Sequence, residues 1–218
     1  MLLVSVSASW AENTYYYIVK NGTETNDNIK YLTNGFTSAT TTTTLTAFFN
    51  GDNTDNPQPV PSSGDIIYIA KGTYTLTATL NIDKTLNIYG GFSGEETWTG
   101  EISDENLKTR NIADNATTLT MATNTEESVI HCNNDSGEGN ATLIDGFTIQ
   151  NGKGSKFNDG TYNFSFGGGV CILDASPTIQ NCTFKNNTAG LGGAVCVAAQ
   201  NADTLAKIIN CLFDNNTA

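Results

Sequence analysis

Thr178–Ala189 reads TIQNCTFKNNTA, preceded by Pro177, and the chain repeats it. Twenty-nine residues later, Lys207–Ala218 reads KIINCLFDNNTA. In register, Ile179 meets Ile208, Asn181 meets Asn210, Cys182 meets Cys211 and Phe184 meets Phe213. Thirty-five residues earlier, LIDGFTIQNG (143–152) fits the same frame: Ile144, Gly146, Phe147, Ile149 and Asn151 match Ile179, Asn181, Cys182, Phe184 and Asn186. Self-similarity at a period of a few tens of residues marks a solenoid.

Within the frame, Ile179, Cys182 and Phe184 are apolar, and Gln180, Thr183 and Lys185 are polar. On each side of Asn181 the pattern alternates with the period of a strand. Asn181 breaks the alternation, and its counterparts are Gly146 and Asn210. Gly and Asn are the residues that most readily take the left-handed backbone conformation. Each repeat therefore reads as two short strands joined by a one-residue corner, with apolar side chains inward on both arms. One such unit cannot bury its apolar face alone, whereas stacked units can. The expectation is an all-β parallel β-helix, like residues stacking at the strand spacing of roughly 4.8 Å. The i, i+3, i+4 pattern of a helical solenoid is absent from these segments.

The 218 residues carry a formal charge of −12, with 10 Lys+Arg against 22 Asp+Glu. That balance speaks against a nucleic-acid backbone or an anionic lipid surface as partner. Only 15% of residues are charged and 21 are Gly, which suits a turn-rich β protein. No stretch approaches the roughly 20 apolar residues of a membrane-spanning helix. The start, MLLVSVSASWAEN, reads as a signal-peptide remnant over residues 1–11, with the small residues Ser9 and Ala11 fitting cleavage after Ala11, the alternative being an apolar first strand. The five cysteines cannot all pair within the chain. Cys182 and Cys211 occupy equivalent positions, as Cys171 and Cys196 nearly do (GGGVCI against GGAVCV). Side chains in an in-register ladder run parallel, so buried free thiols are expected rather than disulfides. A zinc site is disfavoured, because there is no Cys-x-x-Cys pair and His131 adjoins only Cys132.

Residues 12–64 read as an N-terminal cap. TYYYIVKNG (14–22) is a strand with an Asn-Gly turn, and the Thr-rich residues 23–44 are a loop or meandering edge. Leu45, Phe48 and Phe49 have helical spacing behind a Thr44 N-cap, which predicts a short helix across the open end of the first coil. Residues 51–64 hold three of the four prolines and read as a loop. The β-helix is expected over 65–218: DIIYIAKGTY (65–74), TLNIYGGFSG (85–94, ending at its two glycines), TLTM (118–121), SVIHC (128–132), LIDGFTIQNG, and then the tightening GGGVCI, PTIQNC, GGAVCV and KIINC segments. Residues 95–118 and 152–168 are polar or Gly/Asn-rich excursions.

GGAV (192–195) with FKNN (184–187) and FDNN (213–216) resembles the GGA-I/L/V and F-x-x-N repeats of polymorphic outer-membrane proteins. YIVKNG, GDIIYIAKGTY, IYGGFSGEET and LIDGFTIQNG resemble the N-terminal region of secreted proteins of the pectate-lyase-like superfamily. The resemblance covers roughly residues 15–218. It implies a right-handed parallel β-helix, truncated here at its C-terminal end. It also implies a secreted or outer-membrane, often adhesin-like protein that is sometimes carbohydrate-active. One departure is that only TLTAFFN and the Pro-rich loop stand where such proteins have a longer amphipathic helix.

Catalysis on this fold would need clustered carboxylates, two or three facing one another for glycoside hydrolysis. Asp145, Asp174, Asp203 and Asp214 do not share one repeat position, since Asp145 aligns with Gln180 and Ile209, and they read as surface carboxylates. GDNTDN (51–56) and NNDSGEG (133–139) lack the spacing of a calcium hand and read as Asx-rich turns. His131 could serve as a general base, but no partner is placed beside it in sequence, and it reads as a structural residue of SVIHC. Glu95 and Glu96 read as solvated loop charges. Trp98, Phe157, Tyr162, Phe164 and Phe166 fall in excursions, where they can stack on sugar rings or fold back over the coil. The glycines at 167–169 allow close backbone approach without the helix of a phosphate loop, and the Asn-x-Ser/Thr sequons follow from composition. No catalytic, cofactor-binding or metal-ligating residue is assigned. The expected function is a non-catalytic surface scaffold that binds glycans or a host surface, the alternative being a polysaccharide lyase or glycoside hydrolase with catalytic rungs partly outside this segment.

Overall fold

The computed structural model describes residues 14–20, 28–33, 41–51, 60–96, 107–108, 110–133, 141–158, 163–199 and 204–218. The chain opens with β1 (Tyr15–Lys20), β2 (Asn28–Thr33) and β3 (Thr41–Thr44), followed by α1 (Leu45–Asn50). It then visits three sheets in turn. The first pass is β4 (Ile66–Ala70), β5 (Gly72–Leu76) and β6 (Leu80–Ile82), and the second is β7 (Asn87–Phe92), β8 (Thr117–Met121) and β9 (Ile130–Asn133). β10 (Leu143–Asp145) and β11 (Phe147–Gln150) begin the third pass. A hairpin of β12 (Ser155–Asn158) and β13 (Asn163–Phe166) intervenes before β14 (Val170–Leu173) completes it. β15 (Thr178–Gln180), β16 (Thr183–Lys185) and β17 (Val195–Ala198) make the fourth, and β18 (Lys207–Ile209) and β19 (Leu212–Asp214) the last.

The first sheet runs β18-β15-β10-β7-β4-β1, all parallel, and is extended beyond β1 by the antiparallel β2 and β3. The second runs β19-β16-β11-β8-β5 and the third β17-β14-β9-β6, both parallel. The protein is thus all-β and mostly parallel, an arrangement compatible with a β-helix solenoid.

Register follows the repeat read from the sequence. Tyr16, Ile67, Ile88, Ile144, Ile179 and Ile208 form one column in the first sheet. Tyr74, Leu119, Ile149, Phe184 and Phe213 form another in the second. The Phe184 and Phe213 rings stack with centroids 5.0 Å apart and planes 6° from parallel. Ile82, Cys132, Ile172 and Val197 line up in the third. All are buried except Ile208 and Phe213 of the last pass and Val197 of the fourth, and each buried side chain contributes about 1.5–3 kcal/mol.

The corners are left-handed as the Asn/Gly pattern requires: φ is 85° at Gly146, 51° at Asn181 and 49° at Asn210. A second series, Asn151, Asn186 and Asn215, has φ of 62°, 53° and 54° just after β11, β16 and β19. The amides form ladders, Asn210 Nδ2 donating to Asn181 Oδ1 at 2.7 Å and Asn215 Nδ2 to Asn186 Oδ1 at 2.7 Å. The fourth residue of F-x-x-N has a separate task. Asn187 is fully buried, donates to the Ile149 carbonyl at 2.9 Å and accepts from the Gly152 N–H at 3.0 Å. Asn216 repeats the bridge one turn on, donating to the Phe184 carbonyl and accepting from the Asn187 N–H. These amides satisfy backbone groups that the corner would otherwise leave buried and unpaired.

The predicted helix is present, with Thr44 Oγ1 accepting from the Ala47 N–H at 2.9 Å. Leu45, Phe48 and Phe49 join the main core, and Asn50 ties the helix to Thr79 and Asn81 of the first pass. One expectation changes: β7 runs through Gly90 and Gly91 rather than ending there, and the extra residue it carries between Tyr89 and Phe92 shifts its register against Tyr68 and Ala70 of β4. Residues 1–11 lie outside the described residues.

The Gly-Gly corners bring backbone onto backbone. A Cβ on Gly168 would lie 2.3 Å from the Gly193 carbonyl oxygen and 2.7 Å from that of Thr188. Gly168→Ala is therefore expected to lower the unfolding free energy by about 3 kcal/mol, as overpacking does. Gly190→Ala, whose nearest neighbour would be at 3.4 Å, should leave it nearly unchanged. Urea unfolding of both variants measures this, and equal losses would contradict the close approach.

Candidate functional site

The interior is saturated with apolar side chains, so chemistry is confined to outer faces. In the third sheet, Leu80, Ile130 and Val170 point inward, which sends Asn81, His131 and Cys171 outward, followed by Cys196 in register. His131 is half-buried midway along this row and lines two hollows. The first, of about 340 Å³, is polar, with Asn81, Asp83, Lys84 and Asn133 beside His131 and Phe49 of α1 and Val60 at its edge. The second, of about 320 Å³, has an apolar floor of Phe166, Leu173, Cys171 and Ala198, with Ser155 and Lys156 beside it.

Two insertions build these walls. α1 is held over β6 by Leu45, Phe48 and Phe49. The hairpin is anchored at its base by Ser155, whose N–H and hydroxyl both reach Ser128 Oγ at 2.9 Å. Its far side is fixed by the Leu191 N–H donating to the Ser165 carbonyl at 3.0 Å. Lys156 pairs with Glu126, and Lys84 lies 3.9 Å from Asp83. The hollows thus mix amides, both signs of charge, an imidazole and apolar surface.

The carboxylates fall elsewhere. Asp145, expected at the surface, is buried with its side chain 5% exposed, and this corrects the reading from sequence. Arg110 returns from the acidic excursion to pair with it at 3.1 Å, stacking over Tyr89 on the way. The amides of Gln180 and Asn181 donate to its two oxygens at 2.9 Å each. Those contacts anchor the foot of the Asn181–Asn210 ladder and leave the carboxylate no open face. Asp214 is exposed and pairs with Lys185 at 3.5 Å, and Asp174 is a half-buried left-handed turn residue with φ of 49°. Asp203, Trp98, Tyr162 and the remainder of both Asx-rich turns lie outside the described residues, as does the side chain of Phe157. Phe166 folds back into the second hollow, while Phe164 stays exposed.

Glu96 is also not the solvated charge expected of it, although Glu95 is exposed. It accepts from the Tyr17 hydroxyl and from the backbone N–H groups of Ser93 and Gly94. Burial pushes its carboxyl up, but the bonds from Tyr17 and Ser93 outweigh this and hold it below its ordinary value. Burial, then the hydrogen bond to Glu96, push Tyr17 far above the ordinary tyrosine range. The pair closes a second apolar cluster of Tyr17, Ile66, Tyr68, Ala70 and Phe92 on the outer side of the first sheet.

All five cysteines are free thiols. Burial, and secondarily the neighbouring Cys196, push Cys171 up to about 12, so it is a protonated thiol at neutral pH and a poor nucleophile. Burial does the same to Cys132 inside the core. Cys182 and Cys211 share a hydrogen bond that raises the buried Cys182 and draws Cys211 down to about 6. Among the described residues no helix is long and apolar enough to cross a membrane, which says nothing of β-barrels. No protein family, curated protein or solved structure matches the chain.

The Tyr17–Glu96 contact makes stability depend on pH at both ends. A lowered carboxyl contributes stability that is lost as pH falls below its ordinary value of 4.5. A raised phenol contributes stability that is lost as pH rises above its ordinary value of 10.0. Thermal melting across pH should show both limbs, and Glu96→Gln should flatten the acid one. An unchanged acid limb in that variant would contradict the assignment.

Proposed function

We propose that this chain is a right-handed parallel β-helix of the pectate-lyase-like type, and that it serves as a secreted or cell-surface, adhesin-like scaffold binding glycans along the outer face of its third sheet. The three sheets visited in turn and the left-handed corners support the fold. The trough shared by the two hollows around His131 is the observation that carries the function. Sugars present hydroxyls around the ring and C–H groups on its faces. Asn81, Asp83, Lys84, His131 and Asn133 offer the first a set of donors and acceptors, and Phe166 and Leu173 offer the second an apolar floor. Lys84 and Lys156, the cations beside the two hollows in an otherwise acidic chain, favour an anionic glycan.

The alternative is a polysaccharide lyase or glycoside hydrolase. Asp83, Lys84 and His131 in one hollow are what favours it, since a base beside a cation suits proton abstraction from a uronic acid. Among the described residues Asp83 is the one carboxylate lining the two hollows, whereas glycoside hydrolysis calls for a pair. Binding without turnover is the expected behaviour.

A glycan array beside a uronic-acid lyase assay separates the two. Retention of acidic oligosaccharides is expected, weakened about tenfold in His131→Ala, the loss of one hydrogen bond worth about 1.4 kcal/mol. Turnover abolished by His131→Ala would establish the enzyme instead.

A further inference from the structure

Cys171 and Cys196 stand directly opposite each other on the neighbouring parallel strands β14 and β17. Both belong to the outward series, since Val170 and Ile172 occupy the core and Cys171 lines the second hollow. Neighbouring strands are about 4.8 Å apart, and side chains in register leave the sheet in parallel. A disulfide would require the Cβ atoms to close to about 3.8 Å, pinching the two strands together. A metal ion midway between two thiolates, each bond about 2.3 Å long, needs the sulfurs only about 4.6 Å apart. The ladder spacing therefore suits an ion held between the sulfurs better than a bond between them.

Among the described residues no group of three His, Cys, Asp or Glu side chains could hold a metal ion. Tetrahedral zinc is thus poorly served, whereas soft ions content with two thiolates are not. We propose that Cys171 and Cys196 form a two-coordinate site for a soft monovalent cation of the copper(I) type on the outer face of the third sheet. Binding displaces both thiol protons: one cation and two thiols give a bis-thiolate complex of charge −1 and two protons, with no change of oxidation state. His131 is the next residue in the same row, and Lys156 lines the same hollow, so an imidazole and an ammonium group stand close to the charge that forms. The other in-register pair, Cys182 and Cys211, is likewise one buried and one half-exposed thiol, but it packs against the core among Ile179 and Phe184. That pair is the competing site, and the test tells the two apart.

The test is competition for copper(I) between the fully reduced chain and bicinchoninate under anaerobic conditions. Wild type is expected to withdraw one equivalent more than either Cys171→Ser or Cys196→Ser, while Cys182→Ser keeps that equivalent. X-ray absorption of the loaded protein should report two sulfur neighbours. Cys196 is half-exposed, so its variant can be checked for native circular dichroism before loading. If folded Cys196→Ser holds as much copper(I) as wild type, or the equivalent vanishes with Cys182→Ser instead, the assignment is overturned.

Discussion

Parallel strands stacked in register place every residue beside its counterpart one turn earlier, at about 4.8 Å. Whatever is good or bad about a side chain is then multiplied along the column. Isoleucine on isoleucine buries apolar surface without a gap, phenylalanine on phenylalanine stacks ring on ring, and asparagine on asparagine passes a hydrogen bond along the row. A charge in such a column would meet its like at the same spacing. The stacked columns of this chain accordingly carry amides and apolar groups. Where charges do stand in a column they are compensated: Lys185 meets Asp214, and Asp145 stands at the foot of a ladder with Arg110 and two amides around it.

That constraint also decides where function can lie. Positions inside the three sheets are committed to stacking, and corner positions to left-handed backbone and carbonyl capping. Freedom is left to the outward rows and to the insertions between strands. α1, packed into the core beside β6, and the β12–β13 hairpin border the outer face of the third sheet on either side of His131. His131 takes its interest from that placement, since nothing on its own strand sets it apart.

The repeat makes much of the fold legible in the sequence. The left-handed corners at Gly146, Asn181 and Asn210, the column through Ile144, Ile179 and Ile208, the Thr44-capped helix and the Asn186–Asn215 ladder all follow from aligning residues that stack. What could not be read are contacts between segments without periodicity. Arg110 lies 35 residues from Asp145 and Tyr17 lies 79 from Glu96, and no pattern links either pair. The bridging task of Asn187 was half visible: Asn216 repeats it, but the third turn has Gly152 there, so alignment alone did not separate a buried amide from a turn residue. The trough was hidden for a related reason, because excursions of unequal length obscure which residues of β6, β9 and β14 stand abreast.

The central claim is that successive turns are interchangeable in register. Excising residues 178–206 joins Pro177 to Lys207, so that KIINCLFDNNTA takes the seat of TIQNCTFKNNTA on β10 and β11. If the account holds, the shortened chain keeps its β-sheet circular dichroism and a single cooperative unfolding transition, at a modestly lower midpoint. Loss of cooperative unfolding, with Gly146, Asn151 and their neighbours no longer protected from hydrogen exchange, would contradict it.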